Sequence, residues 1–175
     1  MGQGTMVKRE RVRRPRVDFS EDSIVYEASD WSLQILYEYI RDFLDVDSVY
    51  PGYHIHMDPW GEMEPDSLPL VLIYENNENW EPVGPTPAQI MVQPEANAWL
   101  SVELGTQTVR IEGNRYGFRW LARIAHILKS NLDEVESLDL VPGSDLDSAS
   151  YPLRFQRYWD FSEDRAFGGF KSDPE

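Results

Sequence analysis

SIVYEASDWSLQILYEYIRDF (residues 23–43) and TVRIEGNRYGFRWLARIAHIL (residues 108–128) are one strand-and-helix pattern written twice. With Ser23 laid on Thr108 the register holds without a gap. Ile24, Tyr26, Trp31, Leu33, Ile35, Leu36 and Phe43 then fall on Val109, Ile111, Tyr116, Phe118, Trp120, Leu121 and Leu128. When two residues are dropped from the loop that follows, Pro59, Ser67, Pro69 and Leu70 meet Pro142, Ser150, Pro152 and Leu153, identical in type. Self-similarity at a fixed offset is the mark of a duplicated structural unit.

Outward from these stretches, each copy reads in the same order. Arg16–Phe19 and Ser23–Glu27 alternate apolar and polar residues about Ser20-Glu21-Asp22, the pattern of a short hairpin. A helix follows, capped by Ser29 or Asp30, with an apolar stripe of Trp31, Ile35, Leu36, Tyr39, Ile40 and Phe43. Strands are predicted over residues 53–57 and 68–74. In the second copy the hairpin spans residues 99–112 and Asn114 caps a helix with the stripe Phe118, Leu121, Ala122, Ala125 and Leu128; strands close it at residues 137–141 and 151–159. Gly117 is read as a close-packing position. Trp31, Trp99, Trp120, Tyr26 and Phe118 are assigned to or beside the core.

The expected fold is therefore α+β, two tandem ββαββ units related by pseudo-two-fold symmetry. Each would build an antiparallel sheet with one main helix, and the two sheets would pack face to face or edge to edge. The expected organisation is a flexible basic tail at 1–13, a first unit at 14–75, a linker at 76–98, a second unit at 99–160 and a C-terminal tail at 161–175. Pro82, Pro85, Pro87 and Pro94 favour an extended, stiff linker.

Composition narrows the function. Hydrophobic residues make up 41% and aromatics 13%, values of a chain that folds around a core. The absence of cysteine rules out disulfides, zinc–thiolate sites and thiol catalysis. The longest apolar run, residues 70–74, falls far short of the ~20 residues that cross a bilayer. No apolar segment of the signal-peptide kind follows the basic start, so a cytoplasmic protein is expected.

Charge is divided unevenly. Lys8, Arg9, Arg11, Arg13, Arg14 and Arg16 against Glu10 put the first 16 residues at +5, and the rest of the chain at −20 within a total of −15. So acidic a body repels nucleic acid and membranes and draws basic partners.

His54-Ile55-His56-Met57-Asp58 is the sharpest chemical motif. On a strand, alternate side chains share a face, which sets His54, His56 and Asp58 roughly 6.6–6.8 Å apart in succession. That spacing lets the two imidazoles reach one divalent metal, with Asp58, Glu62 or Glu64 as a third ligand and an open position for an activated water. A metal-dependent hydrolase centred on His54, His56 and Asp58 is one reading. The second copy, however, has Ser137, Asp139 and Val141 at these positions and does not reproduce the set. The other reading takes the acidic side chains of the corresponding loops, Asp58, Glu62, Glu64, Asp66, Asp139, Asp145 and Asp147, as a contact face for a basic partner. They lack the spacing of a calcium loop. There is no phosphate-binding glycine loop, no GxSxG elbow and no HExxH, so no catalytic residue and no cofactor is assigned.

The run Ile111-Glu112-Gly113-Asn114, followed by Gly117, Leu121 and Ala122, resembles the strand–Gly-Asn–helix motif of small bacterial immunity-type proteins. The run from His54 to Asp58, then Glu64-Pro65-Asp66-Ser67-Leu68-Pro69-Leu70, resembles the segment after the helix in the same proteins. The first is clearest in the second copy and the second in the first copy, as duplication with divergence would leave them. The resemblance covers each unit but neither the tail nor the linker. It implies a non-enzymatic partner of a polymorphic toxin and transfers no catalytic residue. The leading expectation is thus a protein-binding protein that neutralises a basic toxin through its acidic surface. A structural or assembly module acting through exposed sheet edges is the third reading, and oligomeric state is left open.

Overall fold

A computed structural model of the chain describes residues 14–45, 49–77, 84–130 and 135–157; the two expected tails lie outside the described residues. The order is β1 (Arg16–Ser20), β2 (Ser23–Ala28), α1 (Asp30–Leu44), β3 (His54–Met57), β4 (Leu70–Tyr74), α2 (Pro87–Met91), β5 (Leu100–Leu104), β6 (Val109–Gly113), α3 (Arg115–Ser130), β7 (Ser137–Leu140) and β8 (Leu153–Arg157). The α+β class and the repeated ββαββ order are as the sequence predicts. The linker differs from the expected extended connection: Thr86 accepts from the Gln89 amide through its side chain and starts the short helix α2.

The pairing of the strands departs from expectation. Neither half builds a sheet alone. The first sheet runs β1-β2-β8-β7 and the second β3-β4-β6-β5, so each takes one hairpin from each half. The middle pair in both sheets is parallel: Ile24 lies beside Leu153 in one and Val109 beside Leu70 in the other. Under the repeat, Ile24 corresponds to Val109 and Leu153 to Leu70, so a single pairing occurs twice. The remaining pairs repeat too, Val17 with Tyr26 as Val102 with Ile111, and Met57 with Leu70 as Leu140 with Leu153. The halves are therefore intertwined, because the helix carries the chain from one sheet to the other before the second hairpin forms.

The helices pack against each other in opposite directions. Arg115 at the start of α3 donates to the Leu44 carbonyl at the end of α1 (3.1 Å), while Lys129 near the end of α3 donates to Gln34 (2.7 Å). Phe43 and Phe118 meet edge to face with centroids 5.3 Å apart. One apolar core joins both sheets and both helices. At its centre a void of about 10 Å³ is lined by repeat-related residues, among them Ile24 and Val109, Leu36 and Leu121, Leu70 and Leu153. Its lining marks the pseudo-two-fold axis.

Trp31 is not in that core. The buried stripe of α1 is Leu33, Leu36, Ile40 and Phe43, and Trp31 is 50% exposed. At about 100° per residue it lies half a turn round the helix from Ile40. Tyr26, Trp99, Trp120 and Phe118 are buried as expected, Trp120 with its indole N–H on the Val92 carbonyl (2.6 Å). Gly117 is a close-packing position, since a Cβ there would overlap the Trp99 carbonyl. Asn114 does more than cap α3. Its side-chain oxygen accepts from the Gly117 and Trp99 amides, and its nitrogen donates to the carbonyls of Asn77 and Asn97, tying down both ends of the linker.

Candidate partner-binding site

A sheet edge is a row of unpaired backbone groups, and proteins cover it or use it. Two of the four edges here, β1 and β5, are closed by hydrogen bonds among the described residues. Along β1, the Val17 amide donates to Ser67 Oγ (2.8 Å), and the carbonyls of Val17 and Pro15 accept from the amides of Leu68 and Glu64. Along β5 the pattern recurs with Val102 and Ser150 (3.0 Å), Tyr151, Leu100 and Asp147. The loop between the last two strands of each half thus seals the first strand of that same half, which lies in the other sheet. Over β7 lies α2.

β3 is the end strand of its sheet, and among the described residues no strand pairs with its outer side. The Tyr74 amide donates to the Tyr53 carbonyl (2.8 Å). Antiparallel alternation then turns the main-chain groups of His54 and His56 away from β4. Both imidazoles are exposed, edge to face at 5.0 Å between centroids, with His54 Nδ1 2.9 Å from the Gly52 carbonyl oxygen.

Asp58 does not complete a metal set with them. The strand ends at Met57, and the Asp58 carbonyl accepts from Gly61 and Met63 as the chain turns. Among the described residues no three His, Cys, Asp or Glu side chains converge on a point that a metal ion would occupy. The expected grouping of His54, His56 and Asp58, with Glu62 or Glu64, is therefore not assembled: alternation along a strand stops where the strand stops.

The acidic residues differ in what they bind. The loops 58–70 and 141–153 share one backbone path, with bridges Pro59–Met63 and Pro142–Leu146. In each, a carboxylate turns back onto the first amide, Glu62 on Asp58 (3.1 Å) and Asp145 on Val141 (2.9 Å). Asp145 is fully buried and also accepts from Thr86 Oγ1 (2.6 Å) and Gln89 Nε2 (3.0 Å). It anchors α2 and does not reach the surface, contrary to its expected place on a contact face. Asp147 accepts from the Trp99 indole (3.3 Å), and Asp139 binds the Arg154 guanidinium through both oxygens. Asp66 pairs with Arg16 (2.9 Å). Asp58, Glu62 and Glu64 remain, and among the described residues no cation pairs with them within 4.0 Å.

Sequence reasoning singled out those carboxylates but missed the residue between them. Trp60 is 78% exposed and holds φ at 70°; its counterpart is Gly143, at 82°. A side chain in the left-handed region costs about 1–2 kcal/mol that glycine does not incur. The signal was present in the repeat as a tryptophan aligned with a glycine. Arg14 fixes this turn by donating to the carbonyls of Trp60 (3.3 Å) and Gly61 (2.7 Å).

On the outer face of the same sheet, Glu112 shares a row with His54 across Ile73, and Glu103 shares one with His56 across Val71 and Arg110. Partial burial, reinforced by Glu103 and Glu75 and opposed by Arg110, holds the Glu112 carboxyl above its ordinary pKa. This face of the sheet thus sets Glu103 and Glu112 beside Arg110 and next to the unpaired edge of β3.

Residues 24–75 match the family model described as Immunity protein 32, a segment that runs from β2 to just past β4 and spans less than a third of the chain. Over that segment the chain is similar to an immunity-protein family, in line with the resemblance borne by its motifs. No curated protein and no solved structure matches the chain. Among the described residues no helix is long and apolar enough to cross a membrane.

Proposed function

We propose that the protein neutralises a toxin by binding it, with no chemistry of its own. The observation that carries this reading is the match of residues 24–75 to an immunity-protein family. The charge of −15 supports a basic partner, and Asp58, Glu62 and Glu64, which no cation among the described residues pairs, supply a face for it. In this reading the protein acts in the cytoplasm and blocks the toxin by occupying its surface.

Co-expression with the polypeptide encoded beside it tests the proposal. The neighbouring product alone should arrest growth, co-expression should restore it, and the two untagged proteins should purify together. The complex should loosen between 0.15 and 1 M salt, as the screening length falls from about 8 to 3 Å. A harmless neighbour that does not co-purify would overturn it.

A further inference from the structure

Nothing in the packing of the fold calls for a tryptophan at position 60. Its repeat counterpart is Gly143, where a Cβ would meet no atom within 4 Å, so neither copy of the turn needs a side chain to fill space. The first copy nevertheless carries the largest side chain at a φ that favours glycine, and leaves it 78% exposed. Ile90 is nearly as exposed at 75%, but it lies on α2 in an ordinary helical conformation. Among the other non-glycine residues with positive φ, Glu21 and Asp22 form the β1–β2 hairpin turn and Asn97 is of a type that tolerates it.

We propose that Trp60 is the anchor by which the protein docks its toxin, its indole entering an apolar socket rimmed by lysines or arginines. The inference rests on the toxin-binding reading above and names its site. Tryptophan concentrates binding energy at the centre of protein interfaces, and a ring of polar residues shields it from water. Here that ring is Asp58, Glu62 and Glu64, the carboxylates of this loop with no cation among the described residues. The equivalent carboxylates of the second copy are consumed by the fold: Asp145 is buried under α2 and Asp147 is bonded to Trp99. Arg14 braces the turn that presents the indole by donating to the Trp60 and Gly61 carbonyls. The open edge of β3 adjoins it and offers the main-chain groups of His54 and His56 to an extended segment of the same partner. A second copy of this chain is a poor occupant, because it would bring the same carboxylates against themselves.

The test compares the wild type with Trp60→Gly, Trp60→Ala and Asp58→Lys/Glu64→Lys, using the co-purified toxin as the probe and urea midpoints as the control for folding. Trp60→Gly should fold with a midpoint equal to or above wild type, and should weaken toxin binding by roughly 30-fold or more. The charge reversal should slow association and flatten its salt dependence. Toxin binding by Trp60→Gly at wild-type strength overturns the site and leaves the immunity reading standing. A wild type that binds no toxin overturns both. A lower midpoint for Trp60→Gly would show that the indole serves the fold, and a wild-type dimer that Trp60→Gly converts to monomer would show that a second copy occupies the site; either overturns the proposal.

Discussion

The Ser67 hydroxyl accepts a hydrogen bond from the buried amide of Val17 at 2.8 Å, joining a loop of one sheet to the edge strand of the other. Ser150 and Val102 make the same bond at 3.0 Å on the opposite side of the pseudo-two-fold axis. Each serine thereby satisfies a donor that would otherwise be buried and unpaired. Ser67→Ala and Ser150→Ala should each lower the unfolding free energy by about 1–3 kcal/mol in urea titrations. Both halves should lose signal in one cooperative step, because neither half has a sheet of its own.

Asp145 and Glu62 occupy equivalent positions but should respond differently. Asp145 is fully buried and accepts from Thr86, Gln89 and Val141, so Asp145→Ala strands three donors. A loss of roughly 3 kcal/mol or more is expected. Glu62 is half-buried and holds the Asp58 amide alone, so Glu62→Ala should cost under about 1 kcal/mol. Paired thermal melts of the two variants give the comparison.

Helices were the most legible part of the fold. Ser29 and Asn114 cap where the sequence places them, and the stripe of α3 from Phe118 to Leu128 is buried throughout. Strand positions were legible too, because alternation fixes which side chains face inward. Alternation says nothing about which strand lies alongside. Leu153 suits a place next to Ile24 as well as a place within its own half, and only the path of the helices decides between them. His54, His56 and Asp58 are not brought together for a related reason: spacing along the sequence assumed a strand through Asp58, and the backbone turns there. Of the acidic residues, Asp145 could not be separated from Glu62 by sequence, since its burial depends on α2 in the linker.

The Glu112 carboxyl gives the stability a definite pH dependence. Partial burial, with Glu103 and Glu75 nearby, raises its pKa in the folded state above the ordinary 4.5. The folded protein therefore disfavours the ionised form, and this group costs stability as pH rises from 4.5 through the raised value. Glu112→Gln should stabilise the protein at neutral pH, and the gain should fade below pH 4.5. Denaturant midpoints of variant and wild type at pH 7 and pH 4 measure it; a gain of equal size at both would contradict the assignment.

The most direct test of toxin neutralisation by binding is a titration of the purified toxin's activity with this protein. Inhibition should rise linearly and be complete at a fixed stoichiometric ratio, with intact toxin recovered when the complex is dissociated. Inhibition by a small fraction of an equivalent, or recovery of a chemically altered toxin, would show that the protein acts as an enzyme and would contradict the account.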